Sequence, residues 1–458
     1  MAVETNSESA KTMMGGAEQG HLKRVLGVPS LVLFGLVYMV PLTVFTTYGF
    51  VTQLTGGRLP AAYIVTLIAM VFTARSYGQM ARAYPFAGSA YTYTQRSFGP
   101  GLGFLTGWAL MLDYLFLPMI NYLVIGLYLH AAFPDVPAWI FVLATIAIVT
   151  FLNIIGIVSV ARANILILAI QIIFIVVFAA MSVGAVNSGT SVDLLAPFTG
   201  DGSTSGFGPL VAGAAVLCLS FLGFDSVSTL AEETRDPKRS LPKAIMITTI
   251  AAGLIFIFLA WLSQLVLPDN AAFTSVDAAS LDVMVKAGGA FLSTFFIAAY
   301  VAGAMGSALT SQASVSRILF AMGRDGVLPR RVFGRISVRF STPVLSILIV
   351  SVISLAAIWI DLSLLAEMIS FGALIAFTAV NLSVIKHYFF DEKKRGGVNT
   401  LIYFVVPAIG VALTLWLWTS LSPRALTVGL IWLAIGFVYL LVLTRGFKRK
   451  TPMLDLKE

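Results

Sequence analysis

Hydropathy picks out about twelve runs of mostly apolar residues, each near the 20 or so needed to cross a bilayer. They lie at approximately 31–53, 60–82, 101–131, 138–159, 163–186, 207–232, 243–267, 285–316, 342–361, 363–386, 400–421 and 424–445. Backbone groups cannot go unpaired in lipid, so each run should be a helix. The sequence therefore predicts an all-α polytopic membrane protein. Of its 458 residues, 11% are charged, against about 25% in a soluble domain. That is too little polar surface for a chain of this length to face water throughout.

The charges also sort by loop. With residues 1–28 placed in the cytoplasm, 26 of the 29 lysines and arginines fall on that side. Only Arg58, Lys286 and Arg424 fall on the other, whose loops hold Asp135, Asp193, Asp201, Asp269 and Asp277. This is the positive-inside pattern, and it predicts that both chain ends are cytoplasmic. It also accounts for the net charge of +8 without a nucleic-acid surface. Residues 1–28 read as a polar tail, since no short apolar core with a small-residue cleavage site occurs there. One cysteine, Cys218, and three scattered histidines support neither a disulfide framework nor a metal site.

Two spans carry interruptions. The first reads GLVYMVPLTVFTTYG, with Pro41 in mid-membrane between Gly35 and Gly49. The sixth reads LSFLGFDSVSTLAEET, with Gly223 beside Asp225. Proline removes a donor and clashes with the preceding turn, and glycine permits an unwound stretch. Paired interruptions at corresponding places in two halves point to a transporter binding site. Spans one and six would then open two five-helix repeats. Taken singly, either break could be a kink in a packed helix.

Acids inside the membrane are the second signal. Asp113 lies in span three, Asp225 in span six and Glu367 in the outer part of span ten. A charge there costs at least about 2.5 kcal/mol and usually marks a pathway or proton relay. No lysine or arginine sits near mid-membrane to pair with them, so the interior favours a cation. Each acid has a plainer reading: Asp225 as a helix cap, Asp113 as half of a buried polar pair, Glu367 as an interfacial acid. Asp225, Ser228, Thr229 and Glu232 fall at i, i+3, i+4 and i+7, which on an α-helix makes a polar stripe toward the cytoplasm. Tyr114, Pro118 and Asn121 share one side of span three. Tyr38, Phe45, Tyr48, Tyr114, Phe221, Phe224 and Phe371 lie at central depth, where aromatic faces attract ammonium groups by about 2 kcal/mol or more when desolvated. Packing is the default for most of them, and Tyr114, beside Asp113, stands out. The glycines of GPGLGF at 99–104 follow no strand, so they carry no nucleotide reading. There is no P-loop and no nucleophile–base constellation, so an enzyme is not expected.

Four segments, YPFAGSAYTYTQRSFG (Tyr84–Gly99), GFLTGW, FLGFDSVSTLAEETRDPKRSLPKAI and SVSRILFAMGRDGVLPRRVFG, resemble those of the amino acid–polyamine–organocation superfamily, in the same order and on the corresponding loops. LDYLFLPMIN, FLGFD with AEET, FAMGRDGVLP and FGALIAFTAVNLSV narrow the resemblance to bacterial putrescine importers. It implies the leucine-transporter fold, with two inverted five-helix repeats and two extra helices. The expected division is a tail at 1–28, a first repeat at 29–186, an outer loop at 187–206, a second repeat at 207–386, helices 11 and 12 at 387–445 and a tail at 446–458. The family's broken first helix matches Tyr38 to Thr47, which includes Thr43 and Thr46. Its sixth-helix signature matches Ser220, Phe221, Gly223, Phe224 and Asp225, and its third-helix site face matches Tyr114, Pro118 and Asn121.

The resemblance implies ion-coupled putrescine uptake in the inner membrane, with protons as the expected coupling ion. No cofactor is expected, and the assembly would be a monomer or a homodimer. Two departures matter. The acid that putrescine importers carry at the Thr46 position is absent here, while Glu367 stands where they are neutral. The lysine of some proton-coupled relatives corresponds to Gln171. Coupling therefore falls to a carboxyl, with Asp225, Asp113 and Glu232 the candidates. The rival expectations are an amino-acid permease of the same fold and, from another class, a channel or non-transporting sensor.

Overall fold

The computed structural model describes residues 25–85, 89–156, 160–187, 193–202, 204, 206–324, 326–337, 339–340 and 342–448. Among these, eleven helical stretches are long and apolar enough to cross a membrane. A shorter apolar helix, Val344–Ile358, occupies the ninth expected span. No strand occurs among the described residues; the one bridge joins Leu26 to Thr234.

The main helices are α1 (Val28–Met39), α2 (Tyr48–Leu54), α3 (Leu59–Ala83), α4 (Ser89–Phe98), α5 (Pro100–Ala132), α6 (Ala138–Ile155) and α7 (Val160–Asn187). After the loop come α8 (Gly208–Leu217), α9 (Pro237–Val266), α10 (Ala279–Arg324), α11 (Val344–Ser354), α12 (Leu362–Val384), α13 (Val406–Thr419) and α14 (Pro423–Leu443). By the alternation of helix ends, the segments at 84–85, 234–236, 326–337 and 391–396 share one face with the start of α1, where the Val25 and Leu26 N–H groups donate to the Glu233 carbonyl and Tyr84 meets His387. We call this the basic face, since its described segments carry Arg235, Arg330, Arg331, Arg335, Lys393, Lys394 and Arg395. The turns at 56–58, 133–137, 359–361 and 420–422 lie on the opposite face.

Two spans break in mid-course, where the sequence predicts. In the first, α1 stops at Met39, Val40 adopts φ 51° and ψ 95°, and a 3₁₀ turn, Pro41–Phe45, leads to α2. In the sixth, α8 passes into a 3₁₀ turn, Cys218–Phe221. Leu222 is extended, Gly223 has φ 133°, and a second 3₁₀ stretch, Ser226–Glu233, runs to the basic face. The polar stripe expected along Ser228 and Thr229 is therefore not an α-helical face. A 3₁₀ helix has three residues per turn, and both hydroxyls bond backward, Ser228 to the Asp225 carbonyl at 2.6 Å and Thr229 to the Ser226 carbonyl at 2.6 Å. The side chain of Glu232 lies outside the described residues.

Burial grades inward. The sixth span is buried over 94% of its best 18-residue window, whereas α14 is buried over 17% of its own. The broken span is thus the centre of the bundle and α14 its edge. Near the basic-face half of α5, the indoles of Trp108 and Trp432 stack at 4.9 Å and each donates to the other's carbonyl, at 2.9 and 2.8 Å. Gly436 makes room for this: a Cβ there would sit 2.2 Å from Trp108 Cδ1.

Candidate functional site

The two breaks touch. A Cβ on Gly223 would lie 2.9 Å from Tyr38 Cδ1 and 3.1 Å from the Met39 nitrogen. Only glycine therefore lets the sixth span rest against the first at this depth, and its φ of 133° is one that other residues rarely adopt. Thr43 steadies the first break: its hydroxyl donates to the Met39 and Val40 carbonyls at 2.8 and 2.7 Å, and its N–H donates to the Val40 carbonyl at 2.8 Å.

Beside the breaks is a cavity of about 30 Å³, room for about two waters. Its polar lining comes from Tyr38, Thr43 and Thr46 of the first span, Asn121 of α5, and Tyr300 and Ser307 of α10. Thr46 Oγ1 and the Tyr300 hydroxyl are 2.5 Å apart. Asn121 donates to Ser307 Oγ at 3.1 Å and to the Leu117 carbonyl at 2.8 Å. Pro118, one turn below, has no N–H for the Tyr114 carbonyl. The lining carries no charged side chain, and its α10 wall is not among the residues expected from sequence. Tyr300, Ala304 and Ser307 do fall at i, i+4 and i+7, a helical face that marks such a wall.

A second polar centre lies toward the basic face. Asp113 is eight residues before Asn121 on α5, about 12 Å along the axis. It and Asp225 are each 5% exposed. They lie within each other's field and within that of Tyr38 and Tyr114. No lysine or arginine among the described residues acts on either acid. The Asp225 carboxylate accepts the Gly223 N–H at 3.1 Å, and the N–H groups of Asp225 and Ser226 face it. Asp225 does not cap the helix that follows, because its geometric partner is two residues upstream. Asp113 Oδ1 has no hydrogen-bond partner. Tyr38 borders both the cavity and this acidic centre.

Aromatic clusters pack at the two ends. Toward the opposite face, Tyr128 meets Tyr300 edge-on at 4.8 Å and Phe296 at 5.3 Å, and its hydroxyl donates to the Phe45 carbonyl at 2.9 Å. Toward the basic face, Phe224 packs on Tyr77 at 5.5 Å and Phe377 at 5.2 Å. Phe221 packs on Phe256 at 5.4 Å, and Ser220 Oγ is 3.0 Å from the Tyr63 hydroxyl. Ser220, Phe221 and Phe224 thus support the site's walls and do not line the cavity. Glu367 is remote as well: its carboxylate accepts the Ser422 N–H at 2.9 Å, at the start of α14. Gln171 is 2% exposed and packs beside Gly303 of α10, where a Cβ would meet its amide nitrogen at 2.3 Å.

A broken centre beside a small polar cavity in an all-helical membrane bundle suits a carrier, and comparison with known proteins agrees. A family model described as "Amino acid permease" matches residues 30–444. The chain is 40% identical over 439 residues to the low-affinity putrescine importer PlaP of Escherichia coli K12, covering 95% of this chain and 96% of the relative. It is 26% identical over 455 residues to the branched-chain amino acid permease BcaP of Bacillus subtilis, covering 93% and 94%. The methylthioribose transporter of the same organism is 26% identical over 470 residues, covering 97% and 98%. These relatives are transporters, not enzymes, and the chain belongs to the amino acid permease family.

Proposed function

We propose that this protein imports a small cationic amine, putrescine or a related polyamine, by symport with an ion, most simply a proton. The observation that carries this reading is the pair of buried carboxyls, Asp113 and Asp225, ringed by Tyr38 and Tyr114 and faced by no lysine or arginine among the described residues. Buried charge without a counter-charge is costly, so such a pair suits a cationic cargo, and aromatic faces add attraction for ammonium groups. The similarity to a putrescine importer over 95% of the chain supports the same substrate class. The amine would enter from the opposite face, with its ammonium groups shared between the acidic centre and the hydroxyl-lined cavity. That cavity is too small for the cargo as it stands, so binding requires the broken spans to part. In this reading the protein sits in the cytoplasmic membrane with its basic face inward.

The uncharged cavity, with Thr46 where the resemblance implies an acid, favours a second reading as a neutral amino-acid permease. Uptake into proteoliposomes separates the two. With labelled putrescine and an imposed pH gradient, saturable and concentrative uptake is expected, with unlabelled putrescine the stronger competitor over leucine. Leucine outcompeting putrescine would replace the amine reading. Uptake that neither saturates nor accumulates would indicate a channel.

A further inference from the structure

We infer that the two buried carboxyls divide the work: Asp113 carries the coupling proton, while Asp225 is a fixed anion that positions the glycine break. This rests on the amine-symport reading and adds to it an assignment of roles.

The two carboxylates differ in the donors they can reach. Asp225 follows an unwound stretch whose N–H groups are not consumed by a helix. It holds the Gly223 N–H at 3.1 Å, with two further backbone N–H groups turned toward it. Such donors hold a carboxylate in place and offset part of the cost of burying its charge. Asp113 lies well inside α5, where the N–H groups around it are already bonded to carbonyls four residues back. Its Oδ1 is buried without a partner. A carboxylate held like that is stable when it binds a proton or when a cation arrives. The fixed charge of Asp225 next to it sharpens that choice, because two ionised acids repel.

The other groups nearby do not supply the missing partner. The titratable groups facing Asp113 are Asp225, Tyr38 and Tyr114. Around Asp225, α3 and α4 add Tyr77 and Tyr93. On the other helices packed against α5, Tyr300 of α10 is engaged with Thr46, Glu367 of α12 with Ser422, and Tyr439 of α14 with the Val327 carbonyl. Helices α6 and α11 carry no titratable side chain. In the transport step a proton from water on one side bonds to the Asp113 carboxylate, and that bond breaks when the proton leaves to water on the other side. The amine stays non-covalently bound, opposite Asp225.

The test uses the full chain in proteoliposomes with the membrane potential clamped at zero. Wild type should accumulate labelled putrescine under a pH gradient. Asp113→Asn should lose that accumulation, while exchange of internal for external putrescine continues with a raised KM. Asp225→Asn keeps an oxygen for the Gly223 N–H and loses the charge, so it should raise KM while retaining proton-driven accumulation. Asp225→Ala should also lower the maximal rate. Accumulation by Asp113→Asn at the wild-type level, or loss of its exchange activity, overturns the assignment. If that variant does not elute as a folded peak in detergent, Asp113→Glu is read instead. It should keep accumulation with a shifted pH profile, and an unshifted profile overturns the proposal. Failure of wild type to transport putrescine at all is a different result and strikes the amine reading itself.

Discussion

The Tyr300 hydroxyl lies 2.5 Å from Thr46 Oγ1, and its ring stands edge-on to Tyr128 with centroids 4.8 Å apart. One side chain from α10 therefore links the cavity lining to the aromatic layer above it. Removing a buried hydrogen bond costs about 1 kcal/mol. Tyr300→Phe keeps the ring and loses the bond, so the purified variant should lose about 1 kcal/mol of stability, and KM for the transported amine should rise because a hydroxyl of the cavity lining is gone. An unchanged KM would mean that the pair only packs. Residues of this kind divide sharply in how legible they are from sequence. Pro41 and Gly223 announce themselves, because their backbone limits are intrinsic to the residue. Asp113 and Asp225 stand out because a charge in an apolar run is rare. Glu367 stands out equally, yet it bonds a backbone N–H 55 residues away, and no local pattern encodes that. Phe221 and Phe224 cannot be sorted from sequence, since an aromatic face serves packing and cation binding alike.

At the scale of elements, the apolar period locates a helix but does not say which kind of turn ends it. The third span, expected at 101–131, forms Pro100–Ala132. The first and sixth spans break as expected. The tighter turn after Gly223 is not encoded in that period, and it redirects Ser228 and Thr229 onto the backbone. The eighth span extends beyond 285–316 to Ala279–Arg324 and is interrupted at Gly288 and Gly289. The ninth is a shorter helix than the others. Helix α14 offers a test of edge packing. Gly436→Leu would push a branched side chain into the Trp108 ring, an overpacking that typically costs about 1–3 kcal/mol. The purified variant should unfold at a lower temperature, while KM stays near wild type because α14 does not line the cavity. A large change in KM with no loss of stability would tie α14 to the binding centre.

Across the whole molecule, the sorting of cations to one face is legible from sequence alone, because short loops alternate between the two sides. Their cytoplasmic assignment can be tested with a sulfhydryl reagent, since Cys218 is the sole cysteine and is buried. In intact cells a membrane-impermeant maleimide should label Asp135→Cys. It should label Lys393→Cys only after permeabilisation. The reverse pattern would invert the orientation. The layered aromatic closure at both ends has a further consequence for the energetics of the cell. In the carrier proposed above, Tyr128, Tyr300 and Phe296 on one side, and Tyr77, Phe224 and Phe377 on the other, are the packed clusters that a passing cargo would have to part. Parting both layers together would create a proton leak that dissipates the membrane's electrochemical gradient. A working carrier of this build must therefore keep one layer shut whenever the other opens, and its resting conductance should be indistinguishable from that of bare lipid.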